Sequence, residues 1–321
     1  MPEGRSFAPK ISMAGNIHKT IDLMRSDKPL TAEAIRSLSD LSSPELILWK
    51  AAWPAFPADR RLLLMTRLGE SSETNFDLNF SGVARHALID PDDEIRLAAL
   101  SALWDDEEPA LLILLMRLAQ HDDSTEVRAQ AVGEMGRFIL LGELEKLGSS
   151  LTKDAQELAI RIYNDVDEPI EVRRRAIEAL GNCTRNGISE MIQDAYDSDE
   201  PKMRVSAIHA MGRSYDQDWS EIVLQELDNP DPEIRYEAAR AAGELELEEA
   251  IPVLGRLLFD EDREVLEVAV WSLGELGGAT ARRLLETAQE QAEAAGDEGL
   301  LEAIDEALDA ANFVGQNLRF E

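Results

Sequence analysis

Cysteine is almost absent from this sequence. Cys183 stands alone among 321 residues, so no internal disulfide can form and no set of cysteines can cage zinc. Histidine is nearly as scarce. None of His18, His86, His121 and His209 is followed by glutamate, and no pair has the spacing that puts two metal ligands on one helix face. No apolar run approaches the roughly 18 residues needed to span a bilayer. The opening MPEGRSFAPK lacks the hydrophobic centre of a signal peptide. There is no Walker loop and no dinucleotide glycine fingerprint, and Gly277-Gly278 reads as a turn between helices. The expectation is a cytoplasmic protein with no cofactor, no metal and no membrane partner.

Positive charge is also short. Against 64 Asp and Glu there are 32 Lys and Arg, a formal net charge of −32. Such a chain repels nucleic acid and anionic membrane surfaces. The imbalance is uneven. Residues 1–30 carry five basic and three acidic side chains, a net of +2, whereas residues 221–321 carry 26 acidic and 7 basic ones, a net of −19. That C-terminal third is either a solvated acidic surface or a face for a basic partner.

What the chain does have is a recurring phrase. It reads DPDDEIRLAALSALW at Asp90–Trp104, DDSTEVRAQAVGEMG at Asp122–Gly136, DEPIEVRRRAIEALG at Asp167–Gly181, SDEPKMRVSAIHAMG at Ser198–Gly212, NPDPEIRYEAARAAG at Asn229–Gly243 and DEDREVLEVAVWSLG at Asp260–Gly274, with offsets of 32, 45, 31, 31 and 31 residues. A period of this size marks a solenoid, in which each unit buries its apolar face only against its neighbours.

The copies align on Arg96, Arg128, Arg173, Arg204 and Arg235, with Leu266 in the sixth. One residue earlier the chain is always apolar. Three residues later stands alanine: Ala99, Ala131, Ala176, Ala207, Ala238, Ala269. Apolar positions at i, i+4, i+5 and i+8 form one helical stripe, and the alanine marks a helix contact too close for a longer side chain. Asp, Ser or Asn six residues before the arginine reads as an N-cap, and prolines such as Pro91 and Pro232 fall near the first turn. Gly136, Gly181, Gly212, Gly243 and Gly274 read as left-handed C′ residues that end the helix. Trp104 takes that place in the first copy and fits it less easily.

Second helices are expected at 109–120, 153–164, 187–196, 220–227, 249–259 and 281–294, and the longer offset implies an insertion of about 14 residues near 140–151. The fold class is all-α: an α-solenoid of about seven or eight stacked helical hairpins. Residues 1–28 read as an extension whose first 16 residues form a loose tail, 29–89 as atypical repeats, 90–294 as regular repeats, and 295–321 as a capping helix (297–314) with a tail.

The phrase resembles HEAT repeats, in particular the short class first noted in phycobilisome lyases, D-x-x-x-x-V-R-x-x-A-x-x-A-L-G. The match is close over 90–274 and weaker over 30–89 and 275–312. The resemblance implies the helical-repeat fold. It leaves function open, since such repeats serve importins, phosphatase scaffolds, chromophore lyases, a hydroxylase of modified lysine and DNA-repair proteins. The hydroxylase holds two irons through His-Glu dipeptides, which this chain lacks. The DNA-binding relatives use a basic concave face, at odds with a net charge of −32.

Four features are candidate sites. The arginine column with its upstream aspartates (Asp90, Arg96, Asp122, Arg128, Asp167, Arg173, Arg204, Arg235) reads as a structural Asp–Arg ladder between hairpins, the alternative being a row that binds anions. Leu266 stands in the arginine column, Val268 where Gln130, Arg175, Ser206 and Glu237 stand, and Trp271 in a largely polar column, and the three read as one apolar face. It would be covered by the terminal helix, by the tail with Phe313 and Phe320, or by a partner or second copy. Trp49 and Trp53 follow the same logic. His209 reads as an ordinary surface histidine, and Cys183, just past Gly181, as an inert thiol.

The leading reading is a non-catalytic scaffold that holds another protein, of basic character, on its acidic C-terminal surface or on a concave surface lined by second helices; self-association is open as well. The alternatives are a chromophore (bilin) lyase or lyase subunit, and a nucleic-acid-binding repeat protein. Replacing Ala207 or Ala238 by a large or charged residue is expected to cost on the order of 2–4 kcal/mol in urea unfolding. Glu237, on a polar column, should cost less than about 0.5 kcal/mol.

Overall fold

A computed structural model describes residues 14–317, with side chains from 17 to 312. The tail over residues 1–13 and Phe320 lie outside the described residues, as does the side chain of Phe313. Among the described residues every regular element is helical. The chain divides into two compact units, Met1–Glu134 and Met135–Glu321.

The first unit holds α1 (Ala14–Met24), α2 (Ala32–Arg36), α3 (Ser43–Ala52), α4 (Ala58–Thr74), α5 (Ser81–Ala87), α6 (Asp93–Ser101), α7 (Pro109–His121) and the start of α8 (Thr125–Glu143). Two rows form within it. Helices α1, α3 and α5 touch in sequence, and α2, α4 and α6 do the same beside them. Helix α1 buries Ile17, Ile21 and Met24, one apolar stripe at helical spacing. Trp49 and Trp53 pack on each other with ring centroids 6.0 Å apart, and both touch Phe56. Both tryptophans are buried, so neither belongs to a wet apolar face.

The second unit continues with α9 (Ser149–Asn164), α10 (Ile170–Leu180), α11 (Ile188–Tyr196), α12 (Pro201–Arg213), α13 (Ser220–Glu226), α14 (Pro232–Glu244), α15 (Ile251–Leu257), α16 (Arg263–Leu276), α17 (Gly278–Ala295) and α18 (Glu298–Asn317). The phrase-bearing helices α10, α12, α14 and α16 pack side by side in that order, and α18 takes the next place in the row. All six alanines of the phrase are fully buried. The longer offset is absorbed mainly by helix length rather than by a loop: α8 has 19 residues and α9 has 16.

Both helix-end readings need correction. The N-cap of the phrase helix is four residues before the arginine position, not six. Asp92, Asp231 and Asp262 accept the N–H two residues on. The residue six before (Asp90, Asn229, Asp260) instead accepts the N–H of that cap residue. Two successive side-chain turns thus feed the chain into the helix.

The glycines do not end their helices in a left-handed turn. Gly212, Gly243 and Gly274 lie inside α12, α14 and α16, and Gly181 is right-handed, with φ −53°. The left-handed residue comes three positions later, at Tyr215 (φ 53°) and Glu246 (φ 55°). At α14 the Leu247 N–H donates to the Ala242 carbonyl and the Glu246 N–H to the Gly243 carbonyl, a Schellman closure. The glycines serve the next helix. A Cβ on Gly181 would stand 2.7 Å from Ala210 Cα, one on Gly212 2.8 Å from Ala241 Cα, and one on Gly274 2.9 Å from Ala307 Cα. Each phrase helix therefore rests its backbone almost directly on its successor.

Among the second helices α9, α11, α13, α15 and α17, by contrast, the clear lateral contact is between α15 and α17. A row spaced tightly on one side and loosely on the other bends toward the tight side. The concave surface of this unit is therefore formed by the phrase helices, not by the second helices.

Gly212→Ala is expected to destabilise the protein by about 1–3 kcal/mol through overpacking, even though alanine gains about 1 kcal/mol over glycine inside an unhindered helix. Urea unfolding of the variant reads the sign directly.

Candidate functional site

The arginine column lies at the turns between hairpins. Arg96 donates through Nε and Nη2 to both oxygens of Asp122, at 2.8 and 2.6 Å. Its Nη1 reaches the Asp90 carbonyl at 2.8 Å. Arg235 does the same with Asp260, at 2.8 Å for both bonds, and with the Asn229 carbonyl. Each of these arginines thus takes the carboxylate of the following copy and the main-chain oxygen of its own. This fork geometry suits guanidinium and carboxylate. The Arg235 hydrogen bond holds the Asp260 carboxyl below its ordinary range. Arg128 donates to the Asp122 and Asp123 carbonyls.

Not every named residue joins a rung. Asp167 is exposed, and its N–H donates to Asp165. The copy after Arg173 offers Ser198 in place of an aspartate, and Arg173 turns to the Tyr163 carbonyl at 2.9 Å. Arg204 would meet Asn229, which carries no charge. Its guanidinium lies instead 3.6 Å from Glu226 and over the Tyr196 ring. Asp90 is held by Arg61 of α4 and by the Trp53 indole N–H at 2.7 Å. Arg61, outside the recurring phrase, was not among the sequence candidates; neither was the bidentate Arg85–Asp106 pair.

A second set of charges crosses the concave face of the second unit. Glu178 accepts from Arg175 of α10 and from Ser206 of α12. His209 of α12 lies between two groups of α14: its Nδ1 is 3.4 Å from Glu237 and its Nε2 is 3.3 Å from Arg240. Arg213 reaches Asn182, just past the end of α10, and Glu244 of α14. His209 is thus half-buried in a charged network, a correction to its reading as an ordinary surface residue. Glu237 is no exposed column residue either, with a side chain only 14% exposed. Burial works against its charge, but the His209 hydrogen bond and the charges of His209, Arg240 and Arg175 prevail and lower its pKa. The close helix spacing brings these columns together, and no motif in one copy signals it.

The apolar face at α16 divides. At 100° per residue, Leu266 and Trp271 lie about 140° apart around the helix, so the three side chains do not share one face. Val268 is buried and Trp271 is 40% exposed. These two line a groove of about 500 Å³ with Tyr236, Arg240, Glu244, Glu264 and Glu267. A second groove of about 230 Å³ shares Tyr236 and Glu264 and runs on past Glu237 to Arg174 and Arg175. The terminal helix α18 extends the row beyond α16, while Trp271 leans the other way, over Gly243 of α14. Cys183 is buried, and burial pushes its thiol pKa up. No helix is long and apolar enough to cross a membrane, and no group of three or more His, Cys, Asp or Glu is placed to hold a metal ion, among the described residues.

Stacked helical hairpins that repeat one phrase define a helical-repeat protein. Residues 220–304 match the family model described as HEAT repeats. No curated protein matches the sequence. Among solved structures, the Escherichia coli protein YibA aligns at 17% identity and a TM-score of 0.40 over 97% of this chain and 99% of its own. Human deoxyhypusine hydroxylase, solved with glycerol, aligns at 14% identity and 0.36 over 94% and 97%. Importin beta aligns at 15% and 0.45 over 92% of this chain and 44% of its own. Alignments this loose define neither the curvature nor the activity of the chain.

Glu237→Ala is expected to cost about 1–3 kcal/mol, because it strips His209 and Arg240 of a buried charged partner. The pKa of Glu237 is lowered in the folded protein, so its contribution is present above the unfolded value of about 4.5 and is lost as pH falls through the folded value. The variant should show a smaller loss of stability on acidification than the parent, measured by urea unfolding from pH 7 downward.

Proposed function

We propose that the protein is a non-catalytic scaffold that holds a segment of a basic partner protein against the concave face of α10, α12, α14 and α16. One observation carries this reading: the face pairs two adjoining grooves with an excess of carboxylates. Tyr236, Val268 and Trp271 supply contact surface, and Glu233, Glu237, Glu244, Glu264 and Glu267 supply negative charge against Arg174, Arg175 and Arg240. All of these residues except Arg174 and Arg175 fall within residues 221–321, where acidic residues outnumber basic ones by 26 to 7. Charge of one sign on a concave surface steers an oppositely charged partner and speeds its encounter.

A helical-repeat surface can bind without rearranging, because each helix is fixed by its neighbours on both sides. The charged network over the α10–α14 surface adds to this order, since each of its longer side chains already has a partner within the protein. Affinity for a basic partner should fall steeply between low salt and about 0.5 M, where charges more than a few ångströms apart are screened. Pull-down from the source organism at both salt concentrations, with mass spectrometry, reads this; a captured set that is neither basic nor salt-sensitive would overturn the reading.

A further inference from the structure

Trp271 fills a column that holds polar residues or glycine in the other copies, Ser101, Gly133, Glu178, His209 and Arg240. Its ring edge lies over Gly243, where an added Cβ would stand 3.0 Å from Cζ3. The glycine lets the indole lie low across α14, with 40% of the residue still in solvent. Beside it the groove is walled by Tyr236 and Val268.

The charges around the indole are not balanced. Arg240 is the one cation in the lining, and its Nε is 3.3 Å from Glu244 Oε1. Arg263, outside the groove, holds Glu267. Glu264 is exposed and lines both grooves. The Glu244 side chain is 10% exposed: its Oε1 faces Arg240 and Arg213, and its Oε2 is buried against Gly212 of α12. An aromatic face open to solvent, in a groove with an exposed carboxylate that no cation holds, is complementary to a planar cation. Guanidinium stacks on indole and donates in a fork to carboxylate, and ammonium lacks the plane that does both.

We propose that the groove between α14 and α16 is the seat of an arginine side chain presented by the partner, stacked on Trp271 and hydrogen-bonded to Glu264. This rests on the scaffold reading above and deepens it, from a basic partner to a defined anchor residue. The probe is a fluorescein-labelled peptide of alternating arginine and glycine, followed by anisotropy at low salt, with the lysine version as control.

The arginine peptide should bind more tightly than the lysine peptide. Trp271→Leu should weaken it about 3- to 30-fold, the range expected for losing one desolvated cation–π contact, and Glu264→Gln should weaken it several-fold. Far-UV circular dichroism checks that Trp271→Leu is folded; if it is not, Glu264→Gln decides, since Glu264 is exposed. Salt-sensitive binding that neither variant alters overturns the arginine seat and leaves the scaffold reading standing. No binding of either peptide overturns both. If sedimentation shows self-association that Trp271→Glu abolishes, a second copy fills the groove and the proposal fails. It fails likewise if the peptide binds only after residues 318–321 are removed.

Discussion

The structure of the second unit depends on one close approach. At each step along the row, a glycine of one phrase helix meets a small residue of the next: Gly136 meets Ala179, Gly181 meets Ala210, Gly212 meets Ala241 and Gly243 meets Ser272. Dispersion contacts between two backbones are dense at that distance, and any Cβ on the glycine would meet main-chain atoms. The same approach sets the bend of the unit, because the second helices have no matching column of small residues and stand farther apart. It also sets the site. Charged columns that would be separate exposed faces on looser helices become a network that reaches from one helix to the next.

The rungs at the turns show how a repeat tolerates the loss of a consensus residue. At two steps arginine forks onto the aspartate of the next copy, Arg96 on Asp122 and Arg235 on Asp260. Where it offers asparagine, the charge comes from Glu226, three residues earlier on α13. Where it offers serine, the guanidinium falls back on a main-chain carbonyl. A buried guanidinium left without acceptors would cost several kcal/mol, on the order of the desolvation of an unpaired ion, so each departure comes with a substitute acceptor. The sixth copy needs none, because Leu266 has replaced the arginine.

That same copy departs from the others on its concave side. Val268 and Trp271 interrupt a surface that is otherwise polar and internally paired. Along α10 to α14 the long charged side chains largely satisfy one another. At α16 the pairing stops, and an indole with carboxylates beside it faces solvent. The place where a repeat breaks its own rule without internal compensation is where compensation from outside is to be sought.

Much of the fold was legible because a 31-residue period repeats the same physical demands in each copy. An apolar stripe, a buried alanine and a polar outer column can be read from Ala207 or Ala238 without coordinates. The glycine column was visible too, but its role was not: Gly212 followed by a polar stretch reads as a helix end, and only the position of Ala241 shows that it is a contact. The cap was misplaced by two residues because Asp90 and Asp92 are chemically alike and differ only in which N–H they meet. Arg61 and His209 were missed for a related reason. Arg61 lies outside the phrase, 29 residues from Asp90, so the period gives that pair no register. His209 and Arg240 stand one period apart, 31 residues, in the same column of adjacent copies, but only the distance between the two backbones shows that they touch. By itself, then, the sequence determined the hairpin, its repetition and its acidity, all set by local pattern. The tertiary structure alone decided which row of helices lines the concave face, which arginine meets which carboxylate and where Trp271 lies, because those depend on the distance between neighbouring backbones.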